Sequence, residues 1–147
     1  MEKREIVFVQ VARTAFGRLG GSLKDLTAEE LGSLTLKALV DKTKICERGV
    51  VDSVFAGSAF HMARAISPAR WIVLDAGLPL TTTASYVEMQ CGSAIDGINH
   101  AAWKILSGAA DCVIAGGMES FSQLPFKYSS SPTPYRISPP KLFEYCL

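Results

Sequence analysis

The chain has 147 residues, 48% of them hydrophobic, and its 15 basic and 14 acidic side chains leave a net charge of +1. A charge balance this even provides no basic surface for nucleic acid, and the length suits one globular domain. The apolar stretch near the start is too short and too interrupted for a signal peptide or a membrane span, so we expect a cytoplasmic protein.

The first predicted elements are a strand and a capped helix. Residues 6–12 (IVFVQVA) are almost wholly apolar and rich in β-branched side chains, which predicts a strand buried on both faces, as in a parallel sheet. After a glycine-rich loop, Thr27 and Glu30 have the spacing of a capping box that begins a helix. A second strand is predicted over residues 51–59.

The middle of the chain continues this alternation. Ser67 and Pro68 suit the start of a helix that runs to Asp75, and residues 81–87 (TTTASYV) have the composition of a third strand. A further helix is expected over residues 91–106.

This last helix shows an apolar stripe at helical spacing and leads into a fourth strand at residues 112–115. The order βαβαβαβ predicts an α/β fold, with a mixed, mostly parallel sheet and helices on both faces. The stripe consists of Ile95, Ile98, Ala102 and Ile105.

The end of the chain differs in composition from the rest. Five of the seven prolines lie in residues 125–140, together with several serines and aromatic side chains. Disordered tails are poor in aromatic residues, so we expect this one to pack on something. We therefore divide the chain into an α/β domain, residues 1–120, and a segment of residues 121–147 that begins a loop region or binds a partner.

Cysteine chemistry gives the first functional hypothesis. The sequence SYVEMQCGSAIDG places Cys91 at the predicted start of a helix, where free amides and the helix dipole favour a thiolate. Gly92 permits close approach of a substrate, and the amides of such a turn can bind an oxyanion. This arrangement suits acyl transfer through a thioester. A lone cysteine before a small residue is also typical of a hydrophobic core, so the spacing alone leaves both readings open.

The other cysteines lack an activating context. None of the four has CxxC spacing or a neighbouring histidine pair, so we expect no metal site. Scattered cysteines in a chain without an export signal are expected to be reduced thiols. The three that we expect to be inert are Cys46, Cys112 and Cys146.

Several segments, in the same order, resemble the N-terminal half of thiolases, a family of acyl-CoA acyltransferases. The most specific is AGGMES directly after a strand, and the resemblance extends over about residues 6–126. The segments are VARTAFGRLGGSLKDLTAEELG (11–32), SPAR (67–70), DAGLP (75–79), QCGSA (90–94) and ILSGAADCVIAGGMESFS (105–122).

The resemblance implies a mechanism for Cys91. In thiolases the cysteine at this position takes an acyl group from an acyl-CoA, and a second acyl-CoA then attacks it in a Claisen condensation. The reverse reaction is thiolysis of a 3-ketoacyl-CoA. The backbone of Cys91 and Gly92 would support the oxyanion, and coenzyme A thioesters would be substrates, with no permanently bound cofactor.

The same resemblance implies structural roles for residues that follow the fourth predicted strand. Gly116 and Gly117 would permit close packing behind the site, and Glu119 and Ser120 would hold loops.

A base for this reaction is missing from the sequence. His61 follows a predicted strand, and His100 lies about 13 Å from Cys91 along the helix axis, too far to act as its direct base. In thiolases the histidine and a second reactive cysteine come from GHP and CxGxG motifs in the C-terminal half, and neither motif occurs here. We therefore expect a complementary C-terminal half, as a separate chain or a missing region, and a homo- or hetero-oligomer.

Departures from the thiolase pattern keep an alternative open. Glu88 stands where asparagine is usual, and its carboxylate opposes a thiolate if it points inward. Ala94 stands where glycine is usual in thiolases, and its methyl group leaves less room around that position. The alternative is a thiolase-like assembly subunit in which Cys91 is silent. A ketoacyl synthase of the same fold is a third reading, but the AGGMES segment argues against it.

Overall fold

The structure is a computed structural model that describes residues 4–61, 65–128 and 142–143. Within these residues no helix is long and apolar enough to cross a membrane. The elements in chain order are α1 (Ala28–Thr43), α2 (Ile45–Arg48), β1 (Ser53–Gly57), α3 (Pro68–Asp75), β2 (Thr83–Val87), α4 (Ser93–Leu106), β3 (Val113–Gly117), a 3₁₀ turn (Phe121–Gln123), β4 (Lys127–Tyr128) and β5 (Leu142–Phe143).

Three of the strands form a parallel sheet in the order β2-β1-β3. At one end Gly57 of β1 lies opposite both Val87 of β2 and Gly117 of β3, so the carboxyl ends of all three strands meet at one edge. The helices α3 and α4 connect successive parallel strands. The strands β4 and β5 form a separate antiparallel pair.

Helices cover both faces of this sheet. Val54 and Ala56 of β1 belong to a core cluster with residues of α1 and α3, whereas Phe55 packs with Ala101 of α4. Successive side chains of a strand point to opposite faces, so α1 and α3 lie on one face and α4 on the other. The predicted α/β fold with helices on both faces is confirmed.

Two of the predicted helix starts agree with the structure, and the third differs by two residues. The Glu30 amide donates to Thr27 Oγ1 at 3.2 Å and the Thr27 amide donates to Glu30 Oε2 at 2.8 Å, which completes the capping box. Helix α3 begins at Pro68 and ends at Asp75 as expected, although the Ser67 side chain makes no capping bond. Helix α4 begins at Ser93 instead of Cys91, so Cys91 lies in the turn before it.

The predicted first strand is wrong for this structure. Residues 6–12 form no strand, and apolar side chains there are largely exposed, with Phe8 at 80% and Val9 at 83%. A strand needs a neighbour for its backbone amides and carbonyls. Within residues 4–61, 65–128 and 142–143 no strand pairs with this segment. Its composition indicated burial, but the neighbour that would bury it is not among these residues.

The predicted apolar stripe of α4 is also corrected. The residues of α4 that are buried are the small ones, Ser93, Gly97 and Ala101, whereas Ile95 is 62% exposed. Small side chains let the helix approach the sheet closely. A Cβ placed on Gly57 would lie 2.8 Å from the Cβ of Ser93. Close approach therefore selects the small face of α4. Of the predicted stripe, Ile95 is exposed, whereas Ile98, Ala102 and Ile105 are half-buried.

A second glycine shows the same close approach, and a third does not. A Cβ on Gly117 would lie 2.8 Å from the Cβ of Ala94, so the predicted packing role of Gly117 is confirmed. The alanine at position 94 is accommodated because its neighbour on β3 has no side chain. A Cβ on Gly116 would meet nothing within 4 Å, so within the described part of the chain Gly116 has no such role.

This contrast gives a stability prediction. Gly57→Ala places its Cβ 2.9 Å from the carbonyl carbon of Ser93, which cannot move without shifting α4. We expect a loss of about 1–3 kcal/mol in the free energy of unfolding. Gly116→Ala, the matched control, should change it by less than about 0.5 kcal/mol. Urea denaturation of the full chain, followed by circular dichroism, measures both, and equal losses would contradict the packing described here.

Candidate active site

Cys91 lies in the turn that joins β2 to α4, at the carboxyl edge of the sheet. It is an exposed free thiol and not a member of the hydrophobic core. In open α/β sheets, ligands bind beyond the carboxyl ends of the strands. The position of Cys91 therefore matches a reactive group more closely than a packing residue.

The turn before Cys91 has an unusual backbone. Gln90 has a φ of +50°, in the left-handed region that side chains other than glycine rarely adopt. Two backbone hydrogen bonds close the turn, from the Gly92 amide to the Met89 carbonyl at 3.0 Å and from the Ser93 amide to the Gln90 carbonyl at 3.1 Å. Non-glycine residues in this conformation persist where surrounding contacts hold them.

Ser93 provides those contacts, a role that was not predicted from the sequence. The side chain is 2% exposed, and its Oγ accepts from the Met89 amide at 2.8 Å. The same hydroxyl lies within donating distance of two carbonyl oxygens, that of Gln90 at 2.7 Å and that of Ser58 at 3.0 Å. It thus ties the turn to the end of β1. The available signal was a serine at a helix start, which commonly bonds to local backbone.

The backbone amides around Cys91 differ in availability. The Gly92 amide, a predicted oxyanion donor, is already bonded to Met89. Within the residues that the structure describes, the amides of Ala94 and Ile95 make no backbone hydrogen bond, as is usual in the first turn of a helix. The positive end of the α4 dipole therefore lies beside Cys91.

Glu88, and the last two residues of the AGGMES segment, have positions that the structure defines. Glu88 is exposed, so its carboxylate lies in solvent and does not point inward. Glu119 Oε2 accepts from the Ala59 amide at 2.6 Å, and Ser120 Oγ donates to the Leu26 carbonyl at 2.7 Å. Glu119 and Ser120 therefore hold loops, as expected.

Burial raises the pKa of Glu119, and hydrogen bonds from the amides of Ala59 and Phe60 oppose that shift. Glu119 joins the loop after β1 to the loop after β3, so it supports the edge of the sheet at which Cys91 lies.

Neither histidine is placed as a partner for the thiol. The His61 ring packs edge-on against Tyr86, with 5.3 Å between the ring centroids. The His100 ring stacks on Phe55 at 5.6 Å, and its Nε2 lies 3.5 Å from the Asp96 carboxylate. Both rings therefore make packing contacts.

The remaining cysteines show no comparable environment. Burial raises the pKa of the half-buried Cys112 thiol, with smaller contributions from Asp52 and Cys46. Cys46 is exposed on α2, and Cys146 lies outside the described residues. In the part of the chain that the structure describes, no group of three or more His, Cys, Asp or Glu side chains could hold a metal ion.

Comparisons with known proteins show the family of this chain. The family model for the N-terminal domain of thiolases matches residues 6–139. The chain is 38% identical to an acetyl-CoA acetyltransferase of Chromobacterium violaceum over 95% of its length, and 33% identical to the mitochondrial acetyl-CoA acetyltransferase of Homo sapiens over 90%. The crystal structure of the Bacillus anthracis acetyl-CoA acetyltransferase superposes with a TM-score of 0.81, covering 91% of this chain at 30% identity.

The similarity covers only part of each relative. The chain spans 36% of the Chromobacterium violaceum protein, 31% of the human protein and 34% of the Bacillus anthracis chain. The family match includes residues 121–139 of the segment that composition set apart. With most of its length matched, the chain belongs to the thiolase family and carries the N-terminal domain of that family.

Proposed function

We propose that this chain is the nucleophile-bearing part of a thiolase-type acyl-CoA acyltransferase and that Cys91 carries the acyl group. The observation that supports this most directly is an exposed thiol on a turn fixed by Ser93, at the N-terminus of a long helix. Membership of the thiolase family and relatives named acetyl-CoA acetyltransferase support the reaction class.

The first step is acyl transfer to sulfur. The Cys91 thiolate attacks the carbonyl carbon of an acyl-CoA thioester, and the carbonyl electrons move onto the oxygen. The Cys91 amide is our proposed donor to this oxyanion, since the Gly92 amide is already occupied. When the intermediate collapses, the bond to the coenzyme A sulfur breaks and coenzyme A leaves as a thiolate.

The second step needs groups that this chain does not provide. A second acyl-CoA loses a proton from its α carbon to a base, and the carbanion attacks the acyl carbon on Cys91. The bond to Sγ breaks, and a 3-ketoacyl-CoA leaves. In the reverse direction, free coenzyme A cleaves the 3-ketoacyl-CoA. We assign the base and the acid to a complementary C-terminal half, where thiolases carry their GHP and CxGxG motifs.

Three features support such a half. The chain spans about a third of its relatives' length. The outer side of helix α4 carries exposed apolar side chains between its polar ones, with Ile95 at 62% and Trp103 at 59% exposure, and exposed apolar patches are typical of an interface. Residues 6–12 are an apolar segment without a strand neighbour in the described part of the chain.

Thiol reactivity tests the role of Cys91. If the exposed Cys91 is the nucleophile, iodoacetamide near neutral pH should label it faster than the other cysteines. Cys112 should be slowest, since burial raises its pKa. Peptide mass spectrometry of the full chain gives the rates, and Cys46→Ser is the control that should leave labelling of Cys91 unchanged. Equal labelling of all four thiols would count against the proposal.

Acylation distinguishes the enzyme from the silent subunit. With a thiolase C-terminal half co-expressed, acetyl-CoA should leave an acyl adduct on Cys91, detected by intact mass, and Cys91→Ser should abolish turnover. The alternative, an assembly subunit with a silent Cys91, predicts that the complex forms but that Cys91 is not acylated. It also predicts that Cys91→Ala changes neither assembly nor turnover.

Ser93→Ala tests the turn that positions the thiol. The substitution leaves the Met89 amide without its acceptor, and we expect a loss of about 1–3 kcal/mol in unfolding free energy. It should also slow labelling of Cys91 in protein that is still folded, because Gln90 can then relax from its left-handed conformation. The matched control is Ser107→Ala at the opposite end of α4, where the hydroxyl bonds only to the exposed Lys104 carbonyl. Equal labelling rates of Cys91 in the two variants would show that Ser93 does not position the thiol.

A further inference from the structure

A cavity of about 330 Å³ lies at the start of α1, next to α3. It is on the face of the sheet opposite α4, so it is separate from the thiol and no step of the proposed reaction uses it. The residues that line it are Thr27, Glu29, Glu30, Ala65 and Trp71.

The carboxylate of Glu29 lies in this cavity without a partner. The residue is 3% exposed, and among the residues that the structure describes neither Oε1 nor Oε2 has a hydrogen-bond partner. Buried charges in proteins are normally paired, because an uncompensated one costs several kcal/mol. The N-terminus of α1 favours the negative charge, but it provides no donor to these two oxygens. Among the residues that the structure describes, none therefore supplies a positively charged hydrogen-bond donor to this carboxylate.

The other walls indicate which kind of cation fits. Trp71 of α3 provides an indole, whose face attracts organic cations. Glu30, whose Oε2 accepts from the Thr27 amide, adds a second negative charge. A metal ion is a poorer match, because the described residues contain no cluster of three carboxylate, histidine or cysteine ligands.

We propose that this cavity binds one organic cation, an alkylguanidinium or alkylammonium group, with Glu29 as its counter-ion and Trp71 as its aromatic wall. The cation can be a small molecule or the end of an arginine or lysine side chain from another polypeptide. Both present the same chemistry to Glu29, and the site does not depend on the acyl transfer proposed for Cys91.

Butylguanidinium is the probe for this site, and butylurea is its uncharged counterpart. The full chain contains two tryptophans, so Trp103→Phe leaves Trp71 as the only reporter. We expect saturable quenching of Trp71 fluorescence and a rise in melting temperature with millimolar butylguanidinium, and neither with butylurea. Ligands that bind only the folded state raise stability in this way.

Glu29→Gln removes the charge and keeps the shape. It should weaken butylguanidinium binding at least about tenfold, the scale of a lost charge-assisted hydrogen bond. Glu47→Gln, at an exposed carboxylate on α2, is the matched control and should leave binding unchanged. If Glu29→Gln does not fold, Trp71→Leu gives a second test through the melting temperature. Equal binding of the charged and neutral probes, or equal binding by the Glu29→Gln variant, overturns the proposal.

Two further experiments identify the source of the cation. In a complex with a thiolase C-terminal half, loss of butylguanidinium binding assigns the cation to a basic side chain of that half, and retained binding assigns it to a free small molecule. Arg64, which lies outside the described residues, is tested by Arg64→Gln. Binding that appears only in this variant would mean that the chain supplies its own cation, and it would overturn the proposal of an external one.

Discussion

The close approach of α4 to the sheet is the constraint on which the rest of this domain depends. Gly57 of β1 and Gly117 of β3 have no side chain where Ser93 and Ala94 pass over them. This contact fixes the depth and the direction of the helix. Because the helix is fixed at its N-terminal end, the turn that precedes it has little freedom, and the position of Cys91 follows from the packing of two residues that carry no chemistry themselves.

Ser93 links this packing to the candidate chemistry. It is buried against the end of β1, and its hydroxyl holds the turn in which Gln90 adopts a left-handed backbone. A hydroxyl can accept one hydrogen bond and donate another, and Ser93 uses both functions on the backbone. The thiol is therefore presented by a rigid element, which is what a nucleophile that must meet a thioester carbonyl requires.

Several side chains of the domain have no packing neighbour or counter-charge within the described residues. The outer side of α4 exposes Ile95 and Trp103, residues 6–12 expose Phe8 and Val9, and Glu29 has no counter-charge. Apolar surface of this extent is typical of an interface. The chain spans about a third of the length of its relatives, and these surfaces are where we propose that the complementary C-terminal half binds.

The α/β class, the capping box of Thr27 and Glu30, the bounds of α3 and the family could all be predicted from the amino-acid sequence, because they follow from local periodicity and short motifs. The sequence also singled out Cys91. The tertiary structure adds which face of α4 is buried, that residues 6–12 pair with no strand of the described residues, and that Ser93 holds the turn. The first two depend on how closely distant segments approach each other, and Ser93 also contacts Ser58, 35 residues away. The hydrophobicity of a single segment does not predict such distances.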